Sequence, residues 1–192
     1  MTTESEGAIP HCLLFTGHRI DVPGRQTPRF PAASESLAKQ LIQDAVHAEM
    51  AAYITDQFSA IASGANGGDI LFLETCVEIG IPAEIYLAKP HDAFIDASVI
   101  DGGQLWVDRF EAMTQAFPVH ILSHDPGSDL NVWQRTNLLM LDTTLATSGS
   151  NSSVIALWDG EEGDGPGGTK DMVMRAKKAG AHIVHIDATQ LS

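Results

Sequence analysis

The chain runs from Val154-Ile155-Ala156-Leu157-Trp158 into Asp159-Gly160-Glu161-Glu162-Gly163-Asp164-Gly165-Pro166-Gly167-Gly168-Thr169. The apolar run predicts a buried strand, and the apolar residues that follow the loop at helical spacing, from Met172 to Ala179, predict a helix. A glycine-rich loop between a strand and a helix is where α/β proteins place phosphate groups, because small residues let the backbone approach and free N–H groups face the anion. The alternative is an ordinary flexible connection with solvated acidic residues.

Strand and helix patterns alternate along the rest of the chain. Apolar runs predict strands near 11–15, 58–62, 84–88, 119–122, 153–158 and 182–186. Between them, apolar residues at helical spacing predict helices, including one with a core stripe through Leu37 and Leu41 and one capped by Asp129. We predict one Rossmann-like α/β domain over 1–192, a three-layer α/β/α sandwich with a mostly parallel sheet of about six strands and a loose tail at 1–9.

Composition restricts the partners of this chain. The 192 residues carry 25 acidic side chains against 11 Lys and Arg, a formal net charge of −14, which disfavours nucleic acids and anionic membranes as partners. No apolar run reaches the roughly 18 residues of a membrane span, and the first residues are polar and acidic, so a cytoplasmic protein is expected. Cys12 and Cys76 are predicted to be buried free thiols.

Four segments are predicted to follow strands at the carboxyl edge of the sheet, where such folds bind ligands. They are Gly17-His18-Arg19, Ser63 to Asp69, Lys89-Pro90-His91 and Asp159 to Thr169. Three of the four contain glycine, and two lead directly into a helix. Unrelated loops would have no reason to allow close backbone approach at the same edge of the sheet. This convergence therefore favours a ligand site.

Backbone N–H groups at the helix starts are the first candidate contacts. Gly67 and Gly68 would present N–H groups to a phosphate, and Gly167-Gly168-Thr169 offers the same arrangement with an added hydroxyl. Asp69 either caps its helix or accepts a hydrogen bond from a ribose hydroxyl.

Arginine side chains are the second candidate contacts. Three of the eleven cations, Arg19, Arg25 and Arg29, fall in the loop after the first strand and are predicted phosphate clamps. The alternative is that these arginines are solvated side chains that bind no ligand. Arg135, on a helix with apolar neighbours, pairs either with phosphate or with an internal carboxylate.

A protein-bound metal centre is not predicted from the eight histidines, because no pair has four-residue spacing within a predicted helix. The acidic residues Asp159, Glu161, Glu162 and Asp164 either hold Mg²⁺ beside a phosphate or form a solvated loop. Neither cysteine has a positive neighbour, and no Ser-His-Asp arrangement is legible, so nucleophilic catalysis is not predicted.

Four short motifs follow one another in a characteristic order. They are Thr16-Gly17-His18-Arg19, Ser63-Gly64-Ala65-Asn66-Gly67-Gly68-Asp69-Ile70, Arg135-Thr136-Asn137, and Trp158-Asp159-Gly160 leading to Gly165-Pro166-Gly167-Gly168-Thr169. Together they resemble the SLOG superfamily, the Rossmann-like group named for the DNA-processing protein DprA (Smf) and the LOG phosphoribohydrolases. The resemblance spans about residues 11–187 and is greatest to SLOG domains found beside signalling and conflict-system effectors.

The resemblance implies a nucleotide or nucleotide-derived ligand over the sheet edge and a homodimer paired through helices. The positions that it implies for ligand binding are Gly17, His18, Arg19, Ser63, Gly64, Gly67, Gly68, Asp69, Arg135, Asp159, Gly167, Gly168 and Thr169. In LOG enzymes an Arg and a Glu cleave the N-glycosidic bond of a nucleoside monophosphate, and the Glu stands three residues after the Thr of this loop. Here that position is Met172, and the nearest acid is Asp171.

Three functions therefore remain open at the level of sequence. The first is a nucleotide-binding sensor or signalling module, which the missing Glu favours. The second is a hydrolase of a nucleotide N-glycosidic bond, for which Asp171, Asp69 or Glu74 would have to steer water or stabilise positive charge. The third is a structural or partner-binding subunit whose glycine loops are only turns.

Overall fold

The computed structural model describes residues 10–55, 57–122, 127–161 and 165–192, in which strands and helices alternate. The strands are β1 (His11–Gly17), β2 (Phe58–Ala62), β3 (Ala83–Leu87), β4 (Val119–Ile121), β5 (Ser152–Trp158) and β6 (His182–Asp187). The α-helices are α1 (Glu35–Ala52), α2 (Gly68–Ile79), α3 (His91–Ser98), α4 (Gln104–Ala116), α5 (Val132–Ser148) and α6 (Thr169–Lys178). The predicted tail at 1–9 lies outside the described residues.

The six strands form one parallel sheet in the order β4-β3-β2-β1-β5-β6. Strand β1 is central: Leu13 lies opposite Ala60 of β2 on one side and Ser153 of β5 on the other. Because every strand runs in the same direction, all carboxyl ends meet at one edge of the sheet. This confirms the predicted mostly parallel sheet of six strands.

Helices cover both faces of the sheet. α1, α2 and α4 pack on one face, and α5 and α6 pack on the other. The chain moves outward from β1 to β4 and then crosses back to β5, so right-handed crossovers place the helices on opposite faces before and after the reversal. The Rossmann-like three-layer sandwich is therefore confirmed. No helix in the described ranges is long and apolar enough to cross a membrane.

Strand β1 shows why the strands are continuous apolar runs. Successive side chains point to opposite faces, so Leu13 and Phe15 join the larger core under α1 and α2, while Cys12 and Leu14 join the smaller core under α5 and α6. All four are buried. Cys12 is a free buried thiol, as predicted, and so is Cys76 in α2.

The predicted N-cap of α5 is wrong. The helix is capped by Asn131 rather than Asp129, because Asn131 forms a capping box with Gln134. The Asn131 side chain accepts a hydrogen bond from the Gln134 backbone N–H at 2.9 Å, and the Gln134 side chain accepts one from the Asn131 N–H at 3.3 Å. Asn and Asp cap equally well, so position relative to the packed helix decides between them.

The predicted core stripe of α1 is displaced by one position from the most buried face. That face carries Ala38, Ile42 and Val46, whereas Leu37 is 44% exposed and Leu41 is partly buried but still packs against the core. Adjacent helical positions lie about 100° apart, so both stripes have acceptable spacing in sequence. Only packing against α2 and the sheet selects the face.

Candidate functional site

A cavity of about 290 Å³ lies beyond the carboxyl ends of the central strands. The loop after β1 leads to the helices on one face of the sheet, and the loop after β5 leads to α6 on the other face. The two loops diverge at this reversal in strand order, which is where open α/β sheets hold ligands. The fold therefore places a crevice at the edge that the sequence predicted.

Glycines in the loop after β2 let two backbones meet. Gly67 has φ +85°, and a Cβ added there would lie 2.6 Å from the Ile20 nitrogen. The Gly68 N–H donates to the His18 carbonyl at 3.1 Å. The loops after β1 and β2 are thus joined through their main chains, and this contact by itself accounts for the glycine at 67.

The loop before α6 is fastened to α5 in a similar way. Gly167 has φ +95°, and an added Cβ would lie 2.5 Å from the Trp133 Cβ. Two side-chain amides of the α5 region hold loop carbonyls: Asn137 Nδ2 donates to the Gly167 oxygen at 2.9 Å, and Asn131 Nδ2 donates to the Pro166 oxygen at 3.0 Å. The start of α6 at Thr169 is consequently held at the cavity wall.

Arg19 supplies a cation at a fixed position in the cavity wall. Its guanidinium forms an ion pair with Asp101, donates to the Ala97 carbonyl at 3.2 Å, and donates to Asn66 Oδ1 at 3.4 Å. Its side chain remains one-third exposed (33%). Each of the three nitrogens thus donates to one protein acceptor, which fixes the plane of the guanidinium, and each terminal nitrogen keeps a further N–H for a ligand.

Asp69 is a buried carboxyl group in the same wall. Its Oδ2 accepts hydrogen bonds from the Gly64 and Ala65 N–H groups at 3.2 and 3.1 Å, so it ties down the preceding loop rather than capping α2. Burial raises the pKa of Asp69 to about 7, although these two N–H groups and Arg19 favour the ionised form. A carboxyl group titrating near neutral pH is able to exchange a proton with a ligand.

His18 and Asp159 tie the ends of β1 and β5 together beside the cavity. The Asp159 N–H donates to His18 Nε2 at 3.2 Å, and the same nitrogen lies 3.2 Å from Asp159 Oδ1. Burial alone would raise the pKa of Asp159, but the Glu161 N–H and His18 outweigh it and lower the pKa. These two residues brace the site and stand outside the lining of the main cavity.

The structure brings about half of the predicted ligand positions into the cavity lining: Gly17, Arg19, Ser63, Asp69, Gly167, Gly168 and Thr169. The other predicted positions lie outside this lining: His18, Gly64, Gly67, Gly68, Arg135 and Asp159. A much smaller neighbouring cavity is lined by His18 and Arg29, whereas Arg25 bonds within its own exposed turn. Glu162 and Asp164, predicted as possible Mg²⁺ ligands, lie outside the described residues; within them, no three acidic, His or Cys side chains cluster as a metal site.

Two of the three acids considered for catalysis are held away from the cavity. Glu74 is bound by Arg109, whose Nε and Nη2 donate to its two oxygens at 2.6 and 2.8 Å. Asp171 accepts from Arg175 Nε at 3.0 Å within α6. Met172, at the position of the LOG glutamate, is fully buried in the core under α6. Of the three, Asp69 alone lines the cavity.

Aromatic and amide residues that were not among the predicted ligand positions complete the cavity. Trp133, Asn137 and Met140 line one side from α5, and Phe94 faces them from α3. The Trp133 and Phe94 ring centroids are 6.0 Å apart, with Phe94 fully buried. Residues 133, 137 and 140 are spaced so that their side chains lie on one face of a helix. This spacing predicts that they point the same way, but it does not predict a cavity.

No protein-family model matches the chain, and the search of curated proteins finds no match. Solved structures do resemble it. The Moco carrier protein of Chlamydomonas reinhardtii is 14% identical with a TM-score of 0.45, over 93% of this chain and 76% of its own. A second structure of that protein is 15% identical, again with a TM-score of 0.45, over 94% and 77%.

DNA processing protein A (DprA) from Streptococcus pneumoniae is 13% identical with a TM-score of 0.48, over 92% of this chain and half (50%) of its own. These similarities say nothing about the ligand or activity of this chain.

Proposed function

We propose that this protein binds a nucleotide-derived phosphate ligand in the cavity at the carboxyl edge of the sheet, as a sensor or signalling module. The observation that carries the proposal is the mixed lining of the cavity. It combines Arg19 and the start of α6 at Thr169 with the aromatic residues Trp133 and Phe94. A ligand that carries both a phosphate and a planar ring matches this lining.

The size of the cavity favours a single nucleotide unit. Its volume of about 290 Å³ lies at the lower end of the roughly 300–1,000 Å³ range of ligand pockets. The phosphate would meet the first N–H groups of α6 and the Arg19 guanidinium, and the base would lie along Trp133. Any Mg²⁺ at this site would be bound by the phosphate of the ligand and would enter with it.

Thermal unfolding with a panel of ligands tests this proposal. The panel contains AMP, other nucleoside monophosphates, NAD and ADP-ribose, each with and without Mg²⁺. A ligand present at about 100 times its Kd adds about 2.7 kcal/mol to the free energy of unfolding, which is a readily measured shift. We expect a shift with at least one nucleoside monophosphate, and no shift with any member would contradict the proposal.

Gly168→Val locates the site. Gly168 has φ −82° and ψ −176°, a conformation that valine adopts, so the fold should survive while the side chain obstructs the cavity wall. Ala52→Val, at the exposed end of α1, is the control for added bulk elsewhere. We expect Gly168→Val alone to abolish the shift; unchanged affinity would place the ligand elsewhere.

Hydrolysis of an N-glycosidic bond is a second candidate, which one observation favours. Asp69 lines the cavity, and burial raises its pKa to about 7, which suits a group that moves protons at neutral pH. Incubation with the same nucleotides should then release free base, and Asp69→Asn should stop the release. Absence of free base across the panel would leave binding alone.

A further inference from the structure

We propose that Asp69 meets the anionic ligand as a carboxylic acid, and that its Oδ1 hydroxyl donates a hydrogen bond to a ligand oxygen. Ligand and one proton then bind together, so the protein responds to pH as well as to the ligand. This inference rests on the proposed function, because it concerns the same cavity.

The position of Asp69 leaves one carboxyl oxygen for a ligand. The residue is only 7% exposed and lines the cavity. Oδ2 is occupied, since it accepts from the Gly64 and Ala65 N–H groups. Oδ1 is therefore the oxygen that a ligand can meet. Protonation of Oδ1 leaves both bonds to Oδ2 intact, so the loop at 64–65 stays in place in either state.

The charges around Asp69 also favour its acid form. Within the described residues that line the cavity, the titratable side chains are Asp69 and Arg19. Arg19 is paired with Asp101, which lies at the 3₁₀ turn after α3, and it also donates to Asn66 Oδ1 and the Ala97 carbonyl. Lys89, on the outer side, stacks its ammonium 5.5 Å from the Trp133 ring centroid. Asp69 thus lacks a cation of its own at contact distance.

An ionised Asp69 would oppose a phosphate in this setting. Two negative groups in a partly dry cavity repel more strongly than in water, and Asp101 already offsets the charge of Arg19. A neutral Asp69 instead offers a donor. Burial also raises the pKa of Asp69 to about 7, so the acid form is accessible at neutral pH even before a ligand arrives.

Isothermal titration with AMP measures the proton directly. At one pH near 8, the titration is run in two buffers that differ in ionisation enthalpy, and the difference in observed heat gives the number of protons taken up. We expect uptake approaching one proton per AMP. Across pH 7.5 to 9, where the phosphate of AMP is already dianionic, we expect Kd to rise towards tenfold per pH unit.

Asp69→Asn is the matched variant, because the amide keeps an oxygen for the two loop N–H groups and a donor for the ligand. We expect it to bind AMP with a Kd that is constant between pH 7.5 and 9, with no proton uptake. Its circular dichroism and unfolding curve establish that it is folded; if it is not, the two-buffer titration of the native protein still decides.

The outcomes separate the inference from the proposed function. AMP binding by the native protein without proton uptake, or an Asp69→Asn variant with the same pH dependence as the native protein, would overturn the role of Asp69 while leaving the binding site. Failure of native protein and variant to bind AMP or any other nucleotide of the panel at any pH would count against the proposed function itself.

Discussion

Gly167 lies where the loop before α6 comes closest to α5, and its role belongs to the scale of single residues. Glycine is required there because the Trp133 Cβ leaves no room for a side chain and because φ is +95°. Gly67 is required in the same way by the backbone at Ile20. These glycines shape the cavity by letting protein segments approach each other, and the ligand uses the shape that results.

Gly167→Ala should destabilise the protein more than Gly160→Ala. Both glycines have positive φ, +95° and +85°, but an added Cβ meets Trp133 at 2.5 Å only at 167 and nothing within 4 Å at 160. The left-handed backbone costs each variant about 1–3 kcal/mol, and overpacking adds about 1–3 kcal/mol at 167. Urea unfolding measures both, and equal losses would show that the contact with α5 is unimportant.

His11 is a second residue whose surroundings set a measurable property. The side chain is fully buried, with Nε2 3.1 Å from Ser153 Oγ and 3.6 Å from Glu49 Oε2. Its ring lies 3.8 Å from that of Tyr53. Burial lowers the pKa of His11 below 6.5, although Glu49 favours the charged form. His182, the other titratable neighbour, lies 3.7 Å from Glu49 Oε1.

The free energy of unfolding should therefore fall as the pH falls below about 6.5. Between the lowered folded pKa and the ordinary unfolded one, the unfolded chain binds more protons, so acid favours unfolding. The contribution of His11 is complete above pH 6.5 and is lost through this window. Urea unfolding at pH 7.5 and 5.5 should show a smaller decrease for His11→Gln than for the native protein; identical decreases would assign the effect to other groups.

At the scale of elements, α5 connects stability with the site. Its capping box at Asn131 starts the helix, and the Asn131 amide also holds the Pro166 carbonyl. Trp133 in the first turn and Asn137 one turn later line the cavity, and Asn137 holds Gly167. The crossover that returns the chain from β4 to β5 thus also positions the loop that leads into α6.

Asn131→Ala should lower the free energy of unfolding by about 0.5–2 kcal/mol, the usual cost of a lost N-cap. Asp129→Ala is the control, since Asp129 is exposed and not the cap, and it should stay within about 0.5 kcal/mol of the native protein. Asn131→Asp separates two roles, because it keeps the cap and loses the donor to Pro166. We expect it to retain stability but to weaken nucleotide binding. Equal losses for Asn131→Ala and Asp129→Ala would contradict the assignment of the cap.

At the scale of the whole molecule, the negative net charge restricts which anionic ligands can bind. The net charge is −14. Arg109 is paired with Glu74 and Glu35, whereas Arg19 is paired with Asp101 but stays 33% exposed in the cavity wall. A small phosphate ligand meets one local cation and a helix start, whereas a long polyanion would meet the whole acidic surface. The expected homodimer stays a prediction, which light scattering of the purified protein tests.

Single-stranded DNA should not bind at physiological ionic strength. Binding of nucleic acid depends on releasing counterions by neutralising many phosphates with Lys and Arg, and this surface is acidic. Fluorescence anisotropy of a labelled oligonucleotide should stay flat at protein concentrations well above those that bind a nucleoside monophosphate. A rise that disappears with added salt would reveal a basic surface that the overall charge conceals.

Local patterns along the chain were enough to predict the six strands, the parallel sheet and the edge that carries the cavity. Apolar runs and glycine-bearing loops act over a few residues, and parallel strands bring their carboxyl ends together whatever the details. Arg19, Asp69 and the loop at 167–169 could be placed at this edge for that reason.

Packing between distant segments determined the rest. Which face of α1 is buried, that Asn131 rather than Asp129 caps α5, and that Asn137 rather than Arg135 lines the cavity all depend on how helices rotate against the sheet. The raised pKa of Asp69 likewise comes from burial, which no short stretch of sequence encodes. Periodicity specifies that a helix has an apolar face, and only contacts with other segments fix the direction in which each side chain points.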